Sequence, residues 1–440
     1  MLIEFSTANY RSFRDQVTFS MVASSTKSKS EELNHNNLFS VTDKLRLLTS
    51  AAVYGANASG KSNLLAAIAF MRRFVLYSQK GIEPTGGIDV EPFLLSTHTA
   101  DKPSFFEVAF VQGNRRYRYG FEVTAQRVET EWLYRIGNSP RARESLLFER
   151  AGEQITLGEK FREGKDLQEK TRPNALFLAV VAQFNGEIAQ QVVGWFRACN
   201  TISGLSDTTL LLYTLHQFEK QSGQPIVEML RGWDVDILDV EVQKALNPSG
   251  VGLPLTLPEE LRQAILPMME LAQNKEQLTV QAAHRVYDEQ GAAVNTLVWD
   301  LQAHESEGTQ KLFALSGPLL DTLGQGKVLI VDEMDARLHP LLTREIIKLF
   351  NAPQTNPNHA QLIFATHDTN LLDNRLLRRD QIWFVEKDQQ GASQLYSLVE
   401  FKIDNKHVRN DASYEKDYIQ GRYGAIPYLN PLHHVVIEEA

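Results

Sequence analysis

The chain has 440 residues, with 54 acidic against 45 basic side chains and a formal net charge of −9. That balance argues against a broadly basic nucleic-acid binder, although it leaves room for a local basic groove. Apolar residues make up 43%, which permits a sizeable core and argues against global disorder. The length suits about two or three domains. Cys199 is the single cysteine, so no intramolecular disulfide can form and it reads as a small core residue. The sequence shows neither an apolar signal core near Met1 nor a run of about 18 apolar residues, so a cytoplasmic chain without membrane contact is expected.

Taken in order, Leu2–Ser6 and Gln16–Val22 read as short strands flanking Asn9-Tyr10-Arg11-Ser12-Phe13. The polar stretch Ser24–Asn37 is expected to be a mobile loop. Leu47 to Tyr54 reads as one buried strand, followed by a glycine-containing loop and a helix carrying Leu64, Leu65, Ile68 and Phe70. Phe105–Val111 and Arg116–Val123 alternate around Gly113-Asn114, which predicts a β-hairpin. Trp132–Ile136, Leu146–Arg150 and Glu153–Leu157 continue it as an antiparallel meander. Alternation there sends Arg116 and Arg118 to one face and Tyr117 and Tyr119 to the other, so this basic cluster reads as a solvated strand face.

From Asn174 to about Gln273 the pattern is mainly helical, with segments near Ala189–Arg197, Thr208–Gln221, Ile226–Arg231 and Glu259–Ala272. No sustained heptad runs through it, so a long coiled coil is not expected. Strands return at Thr279, and Lys327–Val331 and Gln361–Ala365 are strong buried-strand signals. His433-His434 reads as surface. These shifts suggest an N-terminal lobe over 1–173, a mainly helical insertion over 174–278 and a C-terminal lobe over 279–440.

Gly55-Ala56-Asn57-Ala58-Ser59-Gly60-Lys61-Ser62 has the spacing G-x-x-x-x-G-K-S between a strand and a helix, the context a phosphate-binding loop requires. Gly55, Asn57, Ser59 and Gly60 would turn backbone N–H groups toward phosphate oxygens at the helix N-terminus. Lys61 would neutralise the β- and γ-phosphates of ATP, and Ser62 would offer its hydroxyl to Mg²⁺. Val328-Leu329-Ile330-Val331-Asp332-Glu333 is an apolar run ending in two acids, which suits a central parallel strand opening onto a ligand crevice. Asp332 would hold the Mg²⁺ shell, and Glu333 would polarise the attacking water. Just upstream, Glu305-Ser306-Glu307-Gly308-Thr309-Gln310 precedes a helical pattern, where Ser306, Gly308 and the helix N-terminus offer hydroxyl, backbone and dipole; the resemblance given next implies that they serve a γ-phosphate.

Together these segments resemble the ABC-type AAA ATPases of the SMC/RecF/OLD clade, most closely the RloA/AbiL-like phage-defence ATPases. The likeness also rests on Asn9–Phe13, Asp332-Glu333-Met334-Asp335, Leu338-His339-Pro340, Thr366-His367-Asp368, Arg379–Val385 and Gly421–Pro427. It implies an α/β fold: an ABC-type P-loop ATPase head with a mixed central sheet, an antiparallel meander and a helical insertion. It implies hydrolysis of ATP to ADP and phosphate, with Mg²⁺. His367 stands where that family carries a switch histidine, Gln183 where a glutamine senses metal and water, and Arg11 in a segment that contributes to the nucleotide site. The segment at 305–310 would serve a nucleotide held by another copy, so a head-to-tail dimer or higher homo-oligomer is implied. Glu307 and Thr309 depart from the usual L-S-G-G-Q, and His339 stands where the subunit-contacting loop typically has Asp.

The implied role is regulation of a partner effector, a nuclease or toxin from a neighbouring gene, in anti-phage defence. The alternative is a RecF/SMC-like DNA-repair ATPase, against which acidity and the lack of coiled coil both weigh. A transporter motor is disfavoured by the long stretch between Lys61 and Ser306. A fused nuclease is disfavoured because no further acidic cluster follows Asp332 and Glu333.

Overall fold

The computed structural model describes residues 1–26, 28, 30–79, 86–137, 143–221, 223–233, 236–246, 276–403, 406–409 and 411–427. The expected helix near Glu259–Ala272 and the His433-His434 pair lie outside the described residues. In chain order the first strands are β1 (Leu2–Ala8), β2 (Val17–Ser20), β3 (Leu38–Thr42), β4 (Leu45–Leu48) and β5 (Ser50–Tyr54). After the helix Lys61–Tyr77 come β6 (Ser104–Gln112), β7 (Arg115–Val123), β8 (Val128–Ile136), β9 (Glu144–Ala151) and β10 (Gln154–Leu157). Helices Phe177–Gln183 and Glu187–Arg197 lead to β11 (Cys199–Ser203), and helices Asp207–Gln221 and Gln224–Gly232 lead to β12 (Asp239–Leu246). Next are β13 (Glu276–Tyr287), β14 (Ala293–Asp300), the helix Glu307–Gln325, β15 (Val328–Asp332), the helix Pro340–Asn351, β16 (Gln361–Ala365), β17 (Ile382–Lys387) and β18 (Ser393–Ser397).

Two large sheets organise the molecule. A seven-stranded antiparallel sheet runs β10-β9-β8-β7-β6-β1-β2, and a six-stranded mixed sheet runs β11-β15-β16-β5-β17-β18. In the second sheet every pairing is parallel except β17 with β18. A smaller antiparallel sheet, β12-β13-β14, stands beside it. This is the α/β head, mixed central sheet and antiparallel meander that the sequence implied. Among the described residues no helix exceeds the 19 of Glu307–Gln325, and none is long and apolar enough to cross a membrane.

The central strands β5, β15 and β16 are apolar at all but one end position, Ser50, Asp332 and Gln361 respectively, because both faces are covered. Ala51 and Val53 of β5 face the core shared with Phe70, Phe74, Phe106 and Phe121. Ala52 and Tyr54 face the opposite core, with Leu315, Leu319, Ile346 and Phe350. The helix Lys61–Tyr77 is thereby sandwiched between the two large sheets. On the meander, Gly113 and Asn114 both take positive φ (+55° and +57°), as a tight two-residue hairpin turn requires. Tyr117 and Tyr119 are buried, while Arg118 pairs with Glu107 at 2.7 Å and Glu144 at 2.6 Å.

Three local expectations change. Leu47–Tyr54 is two strands rather than one: β4 ends at Leu48, and β5 begins at Ser50 in a different sheet. Thr49 and Ser50 make that crossing possible by donating both hydroxyls to Asn351 Oδ1, at 2.7 and 2.8 Å. The expected loop Ser24–Asn37 contains the helix Glu31–Asn36, whose first turn Ser30 caps by accepting from Leu33 N. In the mainly helical segment, the helices are joined by β11 and β12, and β11 puts buried Cys199 on the edge of the central sheet.

Pro318 sits inside the helix Glu307–Gln325, where its missing N–H strands the carbonyl of Ala314. The helix Asp207–Gln221 repairs this, because Thr214 Oγ1 donates to Ala314 O at 2.6 Å. Gly317 permits the approach, since a Cβ there would lie 2.5 Å from Thr214 Oγ1.

Glu131 is fully buried and caps the helix Phe177–Gln183, accepting from Phe177 N at 2.7 Å and Leu178 N at 3.0 Å. Tyr119 donates to it at 2.9 Å, and Arg150 lies 4.0 Å away. Burial raises the carboxyl's pKa, opposed by Arg150 and these donors. Glu131→Ala leaves buried Arg150 without its counter-charge and strands two helix N–H groups, so it should cost about 3–5 kcal/mol in urea denaturation. An unchanged unfolding midpoint would contradict this account of the junction.

Candidate nucleotide site

The loop that follows β5 is held by close packing rather than by its own side chains. Gly60 takes φ +115°, and a Cβ there would meet Ser393 Oγ at 2.3 Å and Ser12 Oγ at 2.8 Å. A Cβ on Gly55 would meet the carbonyl of Val385 at 2.3 Å. Both positions therefore demand glycine. Ser393 Oγ donates to Ser59 O at 2.6 Å and is hydrogen-bonded with Ser12 Oγ at 2.8 Å, and Asn63 Nδ2 donates to Ser12 Oγ at 2.8 Å. Sequence reasoning gave Ser12 and Ser393 no part in the loop. The Asn9–Phe13 motif pointed at Ser12 without a role, and nothing local marks Ser393.

Lys61 opens the helix with its ammonium turned back into the loop, donating to Gly55 O at 2.8 Å and Ala56 O at 3.1 Å. Burial lowers its pKa, while Asp332, Glu333 and Asp335 pull the other way. Ser62 and Asn57 are exposed beside it.

β15 delivers the acids. Its partners β11 and β16 fix its end, with Ser203 opposite Asp332 and Phe364 opposite Val331. Gly204 N donates to Asp332 O at 2.6 Å, and Met334 N to Ala365 O at 3.2 Å. Glu333, at φ +52°, turns the chain out of the strand. His367 follows β16, its pKa lowered by partial burial and then by the Lys61 charge, with Asp335, Glu333 and Asp332 opposing. Its ring is therefore neutral at pH 7. Lys61, Asp332, Glu333 and His367 thus form one electrostatic neighbourhood, together with Asp335, which sequence reasoning quoted but gave no role.

Four oxygens here are buried without a hydrogen-bond partner: Ser59 Oγ, Asp332 Oδ1, Asp335 Oδ1 and Asp368 Oδ2. Buried acceptors in that state are costly unless a ligand or ion satisfies them. They fit Mg²⁺ and a polyphosphate. Among the described residues no group of three or more His, Cys, Asp or Glu makes a metal cage. A Mg²⁺ here would take Asp332, the Ser62 hydroxyl and phosphate oxygens, as this ion commonly does.

Other candidate residues sit apart. Ser306 is exposed and caps the helix Glu307–Gln325, its Oγ accepting from Thr309 N at 3.1 Å. Gly308 packs beside the carbonyl of Arg337, and Glu307 lies 3.5 Å from the Arg337 guanidinium. Among the described residues, none of their hydrogen bonds or ion pairs reaches the phosphate loop. Gln183 ends its helix exposed, without a hydrogen bond to the loop among the described residues. Arg11 (φ +49°) is paired with Glu91 at 3.1 Å. His339 caps the helix Pro340–Asn351 through Nδ1, which accepts from Leu341 N.

A family model described as "AAA domain, putative AbiEii toxin, Type IV TA system" matches residues 50–373. The chain belongs to this family. The AAA match begins at the first residue of β5 and takes in the phosphate loop, Asp332 and Glu333 at the end of β15, and His367. This AAA protein is also similar in fold to solved SMC heads. One is the SmcHead bound to the C-winged helix domain of ScpA (14% identity, TM-score 0.41, covering 90% of this chain and 97% of that one). Another is the SMC head domain from Thermotoga maritima (11%, 0.38, 91% and 99%). A third is the Smc head with an extended coiled coil bound to the C-terminal domain of ScpA, derived from Pyrococcus furiosus (13%, 0.34, 90% and 96%). No curated protein matches the sequence.

Proposed function

We propose that this AAA protein binds and hydrolyses ATP with Mg²⁺, closes into a head-to-tail dimer on ATP, and regulates an effector in anti-phage defence. The observation that carries the reading is the split between two half-sites. Lys61, Asp332, Glu333 and His367 share one electrostatic neighbourhood. The Ser306 helix end is exposed, with its contacts elsewhere. A second copy would complete the site by bringing its Ser306 end to the γ-phosphate. Lys61 would then leave its loop carbonyls for phosphate oxygens, Glu333 would orient and polarise water, and neutral His367 would donate to the γ-phosphate. Mg²⁺ would neutralise charge developing between the β- and γ-phosphates.

Gly55, Asn57, Ser59, Gly60 and Ser62 complete the phosphate contacts in this reading, with Arg11 and Gln183 as outlying ones. We read 1–173 and 279–440 as two lobes of one head, with 174–278 between them, acting in the cytoplasm. The family description supports a defence role, and the RloA/AbiL-like branch is the nearest reading within it. A DNA-repair ATPase is less well supported, given the net charge of −9 and the absence of long helices among the described residues.

The chemistry of the recognised motifs is all committed to ATP, so the isolated chain should have no nuclease activity. The test is to assay it alone and with the product of the neighbouring gene. Robust cleavage by the isolated chain, abolished by a substitution outside the ATP site, would refute the regulatory role.

A further inference from the structure

The residue just before the Ser306 helix is bound to the small sheet through its side chain. Trp299 Nε1 donates to Glu305 Oε1 at 2.8 Å, and His284 Nε2 lies 2.7 Å from the same oxygen. The Glu305 and His284 side chains are only 11% and 14% exposed. Trp299 lies between two imidazoles, with centroids 4.4 Å from His284 and 5.8 Å from His304. The Glu305 backbone is fixed as well, its N–H donating to Leu301 O at 3.1 Å and its carbonyl accepting from Gln310 Nε2 at 2.9 Å. On its other side, among the described residues, the first turn carries the exposed Glu307–Arg337 pair and the Gly308–Arg337 packing. Exposed ion pairs hold little.

From this we infer that Glu305, hydrogen-bonded by Trp299 and packed beside His284, is a positioning residue that sets where the Ser306 helix end stands for the partner copy's nucleotide. The inference rests on the reading that this end acts on ATP. It makes the β13–β14 hairpin, whose distal Tyr287, Val294, Leu297 and Val298 are exposed, the part that orients half of the ATP site. Glu305 touches no reacting atom itself. With its carboxylate removed, the helix end keeps its Ser306 cap but loses its anchor to the hairpin. Displacements of this kind lower rate more than binding.

The experiment compares Glu305→Ala, Glu305→Gln, Trp299→Phe and Ser306→Arg in the full-length protein. Nucleotide affinity and ATP turnover are measured for each. Glu305→Ala and Trp299→Phe should bind ATP with wild-type affinity, because each copy's own loop does the binding. Their kcat should fall by about tenfold or more, the scale on which misplaced groups lose rate. Glu305→Gln keeps the acceptor oxygen and should restore most of the rate, which a general loss of packing would not allow. Trp299→Phe keeps the ring, so it stands in if Glu305→Ala fails to fold. Wild-type kcat in Trp299→Phe and Glu305→Ala, with Ser306→Arg inactive, overturns the positioning role while leaving the shared site intact. Wild-type kcat in Ser306→Arg overturns the shared site instead.

Discussion

Lys61→Ala should lower ATP affinity by at least about a hundredfold, about 2.7 kcal/mol, measured by calorimetric titration with Mg²⁺ present. The size follows from where the ammonium is. It is 6% exposed and partly desolvated, and it already donates to two loop carbonyls. Moving it from those carbonyls to phosphate exchanges neutral partners for a charged one in a poorly screened place, where charge-assisted bonds are about twice as strong. Alanine removes that gain and leaves the phosphates facing Asp332, Glu333 and Asp335 unopposed. The fold should survive, because the loop is also held by Ser12, Asn63 and Ser393. Retained affinity in a folded variant would rule out the phosphate-loop assignment.

Glu333→Gln should bind ATP normally yet turn it over about a hundred- to ten-thousandfold more slowly, the usual contribution of a positioned base. Glutamine keeps the shape and tolerates the same turn, but it cannot take a proton from water. The unhydrolysed nucleotide should then hold two copies together, doubling the mass seen by light scattering when ATP is added. Adding Ser306→Arg to the same chain should return the mass to that of one copy, because the bulky cation blocks the partner's helix end. A dimer that forms equally with and without Ser306→Arg would separate dimerisation from the proposed shared site.

How much of this was readable beforehand depended on whether the signal was local. β16 is the clearest case, because five successive buried residues, Gln361–Ala365, bear the imprint of cover on both faces. β11 was missed for the opposite reason. Cys199–Ser203 is an edge strand with one fully buried residue and a polar sequence, so no apolar run announces it. The helix Glu31–Asn36 did carry a start signal, Ser30 before two glutamates, but its single buried residue, Leu33, left the stretch looking like loop. At the site, the loop glycines and the two acids of β15 lie in contiguous motifs. Ser12 and Ser393 meet across 381 positions, and no periodicity reports such a contact. Asp335 and Asp368 were visible as acids beside motifs, and only burial marks their oxygens as unsatisfied.

The strand order of the central sheet has a consequence for synthesis. β5, which carries the phosphate loop, is bordered by β16 and β17. Those neighbours leave the ribosome more than 300 residues after it. The antiparallel sheet of β1, β2 and β6 to β10 lies wholly within the first 157 residues, so it can fold while β5 still waits. Such distant pairings close slowly and expose apolar surface meanwhile. The nascent chain therefore lacks both strands that flank its candidate nucleotide site until Gln361–Lys387 has emerged.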